Sequence, residues 1–278
     1  MEKIDRLGWA AGLAVVSYGV SIGLRTDEPE ALDRLVRLLP TGWRPATSPQ
    51  VERLYSFRVG DGPGQGIRRF SMLYRDETRI ARSLEQTAVL NALESEVQLY
   101  LAERARGRIF VHAGVVGWRG RAVVIPGRSM SGKSTLVAAL VRAGATYYSD
   151  EYAVLDARGR VHAYPTPLSL RDGAAAARNE PPLVAPSHDV DPLPVGLVVI
   201  TRYRAGARWR PRRLSPGRAG IELLAHTVAA RRRPARALST LARTLSGALV
   251  LKSVRGEASE LVATIAEPAE RPGKRIAD

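Results

Sequence analysis

The chain has 278 residues, 45% hydrophobic and 25% charged, which suits one large folded domain or two small ones and excludes wholesale disorder. It contains no cysteine, so disulfide scaffolds, thiolate metal sites and cysteine nucleophiles are excluded, and four histidines leave little room for a histidine-rich metal centre. The net charge is +15, from 42 basic and 27 acidic residues, and the only lysines are Lys3, Lys133, Lys252 and Lys274. An arginine excess of this kind fits either compositional drift at the surface or an acidic or phosphate-rich partner.

Residues 7–24 are uncharged and reach the lower edge of transmembrane length. Val16, Tyr18, Val20, Ile22 and Leu24 alternate with Ser17, Gly19, Ser21 and Gly23, which is the period of a half-buried strand. Glu2, Lys3, Asp5 and Arg6 are balanced in charge, unlike a signal-peptide n-region. The expectation is a first strand, no membrane span and a cytoplasmic location. Residues 29–39 predict a short amphipathic helix through Leu32, Leu35, Val36 and Leu39, ended by Pro40. A loop over 41–50, a strand over 51–59 and a glycine-rich turn over 60–66 follow, after which Phe70, Met72 and Tyr74 alternate again. Ser83 is expected to cap a long helix, with Gln86 in the capping-box position. Its buried stripe is Val89, Leu93, Val97, Tyr100 and Leu101, and Gly107 stops it after Arg106. Residues 1–107 therefore read as an N-terminal α+β unit ending in a long helix.

Residues 108–267 carry a denser α/β pattern. Strands are predicted over 109–118 and 122–125, then a glycine-rich loop and a helix over 133–143. A strand over 147–155 and another over 160–164 flank a turn at 156–159. Residues 173–194, rich in Ala and Pro, predict a mobile loop. A buried strand follows over 197–201. The tail after Gly217 reads as helical, broken at Pro234, with a strand over 248–254. Residues 268–278 read as a frayed tail.

The strongest motif is Gly127-Arg128-Ser129-Met130-Ser131-Gly132-Lys133-Ser134, which fits G-x-x-x-x-G-K-[ST] between an apolar strand and an amphipathic helix. Glycine lets successive N–H groups turn toward one phosphate, and the helix N-terminus adds partial positive charge. Gly127, Ser129, Ser131, Gly132, Lys133, Ser134 and Thr135 are thus the candidate nucleotide-binding residues. Lys133 would reach the β- and γ-phosphates, and the Ser134 hydroxyl would ligate Mg²⁺. The alternative is a glycine turn that only caps a helix.

Asp150 and Glu151 follow Ser134 by 16 and 17 residues, whereas the apolar strand over 197–201 ends in Thr201-Arg202 without an acid. A carboxylate beside a γ-phosphate can accept the proton of an attacking hydroxyl or bind the metal. On a regular strand the two acids would face opposite sides, so both reach one site only if the chain bends there. The alternative is a solvated strand end. His112 lies in the apolar run Val111-His112-Ala113-Gly114, one strand before the loop. Such a histidine is ordinarily a packed core residue, but its position also suits a role near phosphate or acid.

These three elements, spanning residues 111–155, together resemble the catalytic domain of the HPr kinase/phosphorylase family. A weaker likeness continues through residues 164–170 and 198–203. The resemblance implies an α/β fold of the HPr kinase/phosphoenolpyruvate-carboxykinase type, with a P-loop domain behind a small strand-rich N-terminal unit. It implies an enzyme that uses ATP and Mg²⁺ to phosphorylate a serine of a peptide or protein. By carry-over, Lys133 holds phosphates, Ser134 ligates Mg²⁺ and Asp150 is the base. Glu151 assists metal or charge, and His112 positions the acid. The acid pair is Asp–Glu where the family has Asp–Asp, Met130 stands where glycine is common, and no segment tied to dephosphorylation is recognisable. Diverged kinases of this family found with lasso-peptide biosynthesis look like tailoring kinases. A biosynthetic precursor peptide or an HPr-like protein is then the expected substrate, and homo-oligomers are hinted at. A nucleotide-binding regulatory module without kinase activity and a small-molecule kinase are the alternatives.

Residues 201–243 hold twelve arginines and one acid, Glu222, and so carry +11 of the net +15. Tyr203 and Trp209 interleave with them, but no nucleic-acid-binding motif accompanies the segment. A solvated basic face, or docking of an acidic peptide or of phosphates, is expected ahead of nucleic acid.

Overall fold

The computed structural model describes residues 2–40, 42–60, 69–127, 131–164, 166 and 190–266. They form a mixed α/β chain with two sheets and two compact units, residues 1–108 and 109–278. No helix among the described residues is long and apolar enough to cross a membrane.

The first unit contains α1 (Glu2–Asp5), strands β1 (Ala11–Ser17) and β2 (Val20–Thr26), and a 3₁₀ turn (Pro29–Ala31) leading into α2 (Leu32–Val36). Strands β3 (Arg44–Pro45), β4 (Arg53–Arg58), β5 (Ser71–Arg75) and β6 (Thr78–Ser83) and helix α3 (Gln86–Arg104) complete it. The sheet order is β3-β1-β2-β4-β5-β6. Val89, Leu93, Val97 and Leu101 of α3 pack on Val15, Ile22, Leu24, Tyr55, Phe57 and Leu73 to make its core.

The alternation around residues 16–24 is a hairpin, not one strand. Val15 pairs with Ile22 and Ser17 with Val20. Tyr18 and Gly19 take positive φ of 50° and 77°, the mirror-image turn that matches strand twist. Paired positions sum to an odd number, so the core face switches from Val15 in β1 to Val20, Ile22 and Leu24 in β2. The helix expected over 29–39 is shorter, a 3₁₀ turn plus α2. The expected capping box is also absent. Ser83 closes β6 and its Oγ accepts the Glu85 N–H at 3.0 Å, while α3 starts one residue later without a side-chain cap. The strand sets that boundary because Ser83 is held in register with Ser71.

The second unit comprises β7 (Ile109–Trp118), β8 (Arg121–Pro126), α4 (Lys133–Arg142), β9 (Thr146–Ser149), β10 (Tyr152–Leu155) and β11 (Arg160–His162). After them come β12 (Leu193–Tyr203), β13 (Arg212–Arg213), α5 (Pro216–Leu224), α6 (Pro234–Leu245), β14 (Leu249–Arg255) and α7 (Ala258–Ala266). The order is β11-β10-β7-β8-β12-β14-β13, with β9 also on β7. Strands β8, β12 and β14 run parallel. Period-two side chains serve two cores. Ala122 and Val124 of β8 face α5 and α6, whereas Val123 and Ile125 face α4 and α7.

Several expectations shift here. The strand over 147–155 is interrupted at Asp150-Glu151. The apolar run 197–201 is the centre of an 11-residue strand that already begins at Leu193, inside the expected loop. Pro234 opens α6 as its first residue, where its missing N–H has no partner to lose. The remainder of that loop over 173–189, residues 61–66 of the glycine-rich turn and the tail 268–278 lie outside the described residues.

Candidate active site

The parallel strands β8, β12 and β14 bring their carboxyl ends to one edge of the sheet, where open α/β sheets bind ligands. A cleft of about 700 Å³ opens there, bordered by Gly127 and Ser131 on the glycine-rich loop, Thr201 and Arg202 on β12, Lys252 on β14 and His226. Within it Lys252 is paired with Glu222. Arg212 also lines the cleft, so Arg202 and Arg212 are the arginines of the basic segment that face it.

The described ends of the loop show why glycine stands at both of them. Gly127 donates its N–H to the His112 carbonyl at 3.1 Å, and a Cβ there would lie 2.5 Å from Ser131 Oγ. Gly132 takes φ +82° and α4 starts directly after it, leaving the first N–H groups of the helix without a side-chain cap. Arg128, Ser129 and Met130 lie outside the described residues. Lys133 is buried, and burial pulls its ammonium below its ordinary pKa, with Glu151 and then Asp150 pulling it back up. Thr135, one turn position on, is exposed.

The acid pair sits where one strand becomes two. Both β9 and β10 pair antiparallel with β7, Ser149 opposite Val115 and Tyr152 opposite His112. Register is kept across the break itself, the one shift on β7 lying earlier, between Val115 and Val116 opposite β9. Ser149 Oγ accepts the N–H groups of Glu151 at 3.1 Å and Tyr152 at 3.0 Å, which fixes the bend. The Ser134 hydroxyl donates to Asp150 Oδ2 at 3.2 Å. Tyr147 Oη and Thr166 Oγ1 lie 3.0 and 3.1 Å from Asp150 Oδ1. Burial, then the Asp150 charge, pushes the Tyr147 hydroxyl well above its usual range, so it stays a donor.

Glu151 turns the other way. Its Oε1 is 3.8 Å from His112 Nδ1. Burial lowers the His112 pKa below its ordinary 6.5, helped by the charges of Lys133 and His226. His112 also donates its main-chain N–H to the His226 carbonyl at 2.9 Å, which brings the segment after α5 to the site.

Lys133, Ser134, Asp150, Glu151 and His112 thus converge, while of the candidate residues only Gly127 and Ser131 line the cleft described above. Tyr147, Thr166, His226 and Arg255 join them without having been singled out in the sequence. Tyr147 stands three residues before Asp150 and looked like a packed strand residue. Thr166 lies in the weaker likeness over residues 164–170, whereas His226 and Arg255 reach the site from distant segments that no local pattern announces. Among the described residues no three His, Asp or Glu side chains cluster to hold a metal. The donor set that does fit a cation is a hydroxyl and one carboxylate, Ser134 and Asp150. This is the sparse set Mg²⁺ accepts when phosphates complete its shell. Set against known proteins, the chain matches no family model and no curated sequence.

Proposed function

We propose that the second unit is an ATP-dependent serine kinase of the HPr kinase-like type, acting on a peptide or protein. The carrying observation is the Ser134–Asp150 contact of 3.2 Å, directly behind buried Lys133 at the start of α4. It puts a carboxylate beside the hydroxyl that follows the phosphate-binding lysine, the arrangement phosphoryl transfer needs. Bound Mg²⁺-ATP would supply the transferable phosphoryl group and the divalent charge. Lys133 and the α4 N-terminus would hold the phosphates, and Ser134 the metal. A carboxylate of the acid pair takes the acceptor hydroxyl's proton as its oxygen bonds to phosphorus and the β–γ bridging oxygen leaves with ADP.

The resemblance assigns that proton to Asp150. The contact with Ser134 favours a second assignment, in which Asp150 holds the metal and Glu151, beside neutral His112, takes the proton. Transfer of labelled γ-phosphate to a serine-containing peptide, with ATP binding measured by calorimetry at varied Mg²⁺, tests both. In either case Asp150→Asn is expected to lower transfer about 100-fold or more. Retained Mg²⁺-dependent ATP binding makes Asp150 the base, whereas lost binding makes it the metal carboxylate and Glu151→Gln the variant that binds without transfer. Unimpaired transfer in both variants overturns the site.

A further inference from the structure

The first unit has a charged groove that the kinase reading does not use. Phe57 and Leu73 are buried in its core, and they pair with each other and with Ala81 across β4, β5 and β6. The neighbouring row, Arg58, Met72 and Arg82, therefore lies on the opposite face of the sheet. Arg79 and Arg82 are three residues apart and would point to opposite faces of a regular strand. A bulge between Leu73 and Tyr74 leaves Ile80 as an extra residue on β6 and pairs Arg79 with Tyr74. Tyr74 shares the face of Met72, so the bulge sends Arg79 to the side of Arg82.

The resulting groove is about 570 Å³ and is lined by Arg58, Arg69, Arg79 and Arg82 together with Phe70 and Met72, and by the acids Asp27 and Glu28. Arg58 pairs with Asp27 at 3.4 Å. Among the described residues neither Arg79 nor Arg82 forms an ion pair, and the Arg82 guanidinium lies 3.7 Å over the Phe70 ring. We propose that this groove is a docking site for an acidic peptide segment carrying an apolar residue. Arg79 and Arg82 would meet its carboxylates, and Met72 its apolar side chain.

The local chemistry selects a peptide over nucleic acid. One face of Phe70 is taken by Arg82, which leaves less aromatic surface for a base to stack on. Asp27 and Glu28 oppose a continuous phosphate backbone but not separate carboxylates spaced around an apolar centre. The proposal stands independently of the chemistry in the second unit.

The test is fluorescence anisotropy with the full-length protein and a fluorescein-labelled peptide of alternating glutamate and leucine. The wild type is expected to bind it, with affinity falling as salt rises, and a glutamine-for-glutamate peptide is expected not to bind. Arg79→Glu with Arg82→Glu should weaken binding about tenfold or more. Arg231→Glu with Arg236→Glu, the same charge change in the second unit, should leave it unchanged. Thermal unfolding checks that the variants are folded, and Arg79→Gln with Arg82→Gln repeats the test without new carboxylates. No binding by the wild type, equal losses in both charge-reversal variants, or tighter binding of oligo-dT through the same two arginines would each overturn the proposal.

Discussion

Arg255 donates through Nη2 to the main-chain carbonyl of Gly132 at 2.9 Å and through Nη1 to that of Gly256 at 2.9 Å. It thereby ties the end of β14 to the last glycine of the phosphate-type loop. The side chain is 2% exposed and has no carboxylate partner among the described residues. Burial pushes its guanidinium below its ordinary pKa, with Glu257 and Tyr203 opposing. The backbone of Gly132 requires glycine here. Its φ is +82°, and a Cβ would lie 2.7 Å from Arg255 Nη2. The Arg255 carbonyl in turn accepts the Arg204 N–H at 2.9 Å, so one residue joins the loop to the basic turn after β12.

Arg255→Met should therefore weaken ATP binding about tenfold or more and lower stability by about 1–3 kcal/mol, because two carbonyls lose their donor. Arg255→Lys can reach one carbonyl but not both, and should recover part of the affinity. Calorimetric ATP titration read beside urea unfolding separates the two effects. Unchanged ATP affinity in Arg255→Met would show that the loop holds its shape without the clasp.

Gly114 sets how closely α4 approaches the sheet. A Cβ on it would lie 2.5 Å from Val137 Cγ2 and 3.8 Å from Lys133 Cβ. Gly114→Ala should destabilise the protein by about 1–3 kcal/mol through overpacking, measured by urea unfolding. Adding Val137→Ala should return part of that loss, since it removes the clashing methyl group. A loss below about 0.5 kcal/mol for the single variant would mean that α4 simply shifts outward.

What the sequence made readable was the part written in local periods. The strand of residues 109–118, the helix that starts at Lys133 and the buried stripe of α3, except Tyr100, which is only partly buried, follow from apolar spacing and glycine placement alone. What it hid was set by pairing. Nothing in Val16 to Leu24 marks Tyr18-Gly19 as a turn, because alternation continues through it and only the register reveals the change of face. The bend at Asp150-Glu151 is visible only once β9 and β10 are both seen on β7. Ser83 satisfied a capping pattern yet belongs to β6, since cross-strand pairing to Ser71 outweighs a single cap. Arg255 lies 123 positions from the carbonyl it holds, beyond the reach of any local pattern.

The charge state of His112 should make both stability and activity fall on the acid side of neutrality. Its imidazole lies 4.7 Å from the Tyr152 ring on β10 and 3.8 Å from Glu151 at the strand break, and it feels the charges of Lys133 on α4 and His226 after α5. Burial, Lys133 and His226 disfavour its protonation, and the Glu151 carboxylate at 3.8 Å does not reverse that balance. The folded pKa lies below 6.5 while the unfolded chain titrates at its ordinary value, so between the two the unfolded state binds more protons. Stability then rises with pH through that window and is lost as pH falls below about 6.5. Unfolding midpoints measured from pH 7.5 down to pH 5 should decline more steeply in the wild type than in His112→Gln, which carries no titrating group there. Glu151→Gln should steepen the decline, because it removes a carboxylate 3.8 Å from Nδ1 that favours imidazolium. Parallel curves for wild type and His112→Gln would show that His112 is not the group responsible. The same protonation would repel the cation at Lys133 and claim Glu151 as a counter-ion. Under the proposed function, peptide phosphorylation should lose its rate over the same window, with the acid limb displaced in Glu151→Asp if Glu151 takes the acceptor's proton.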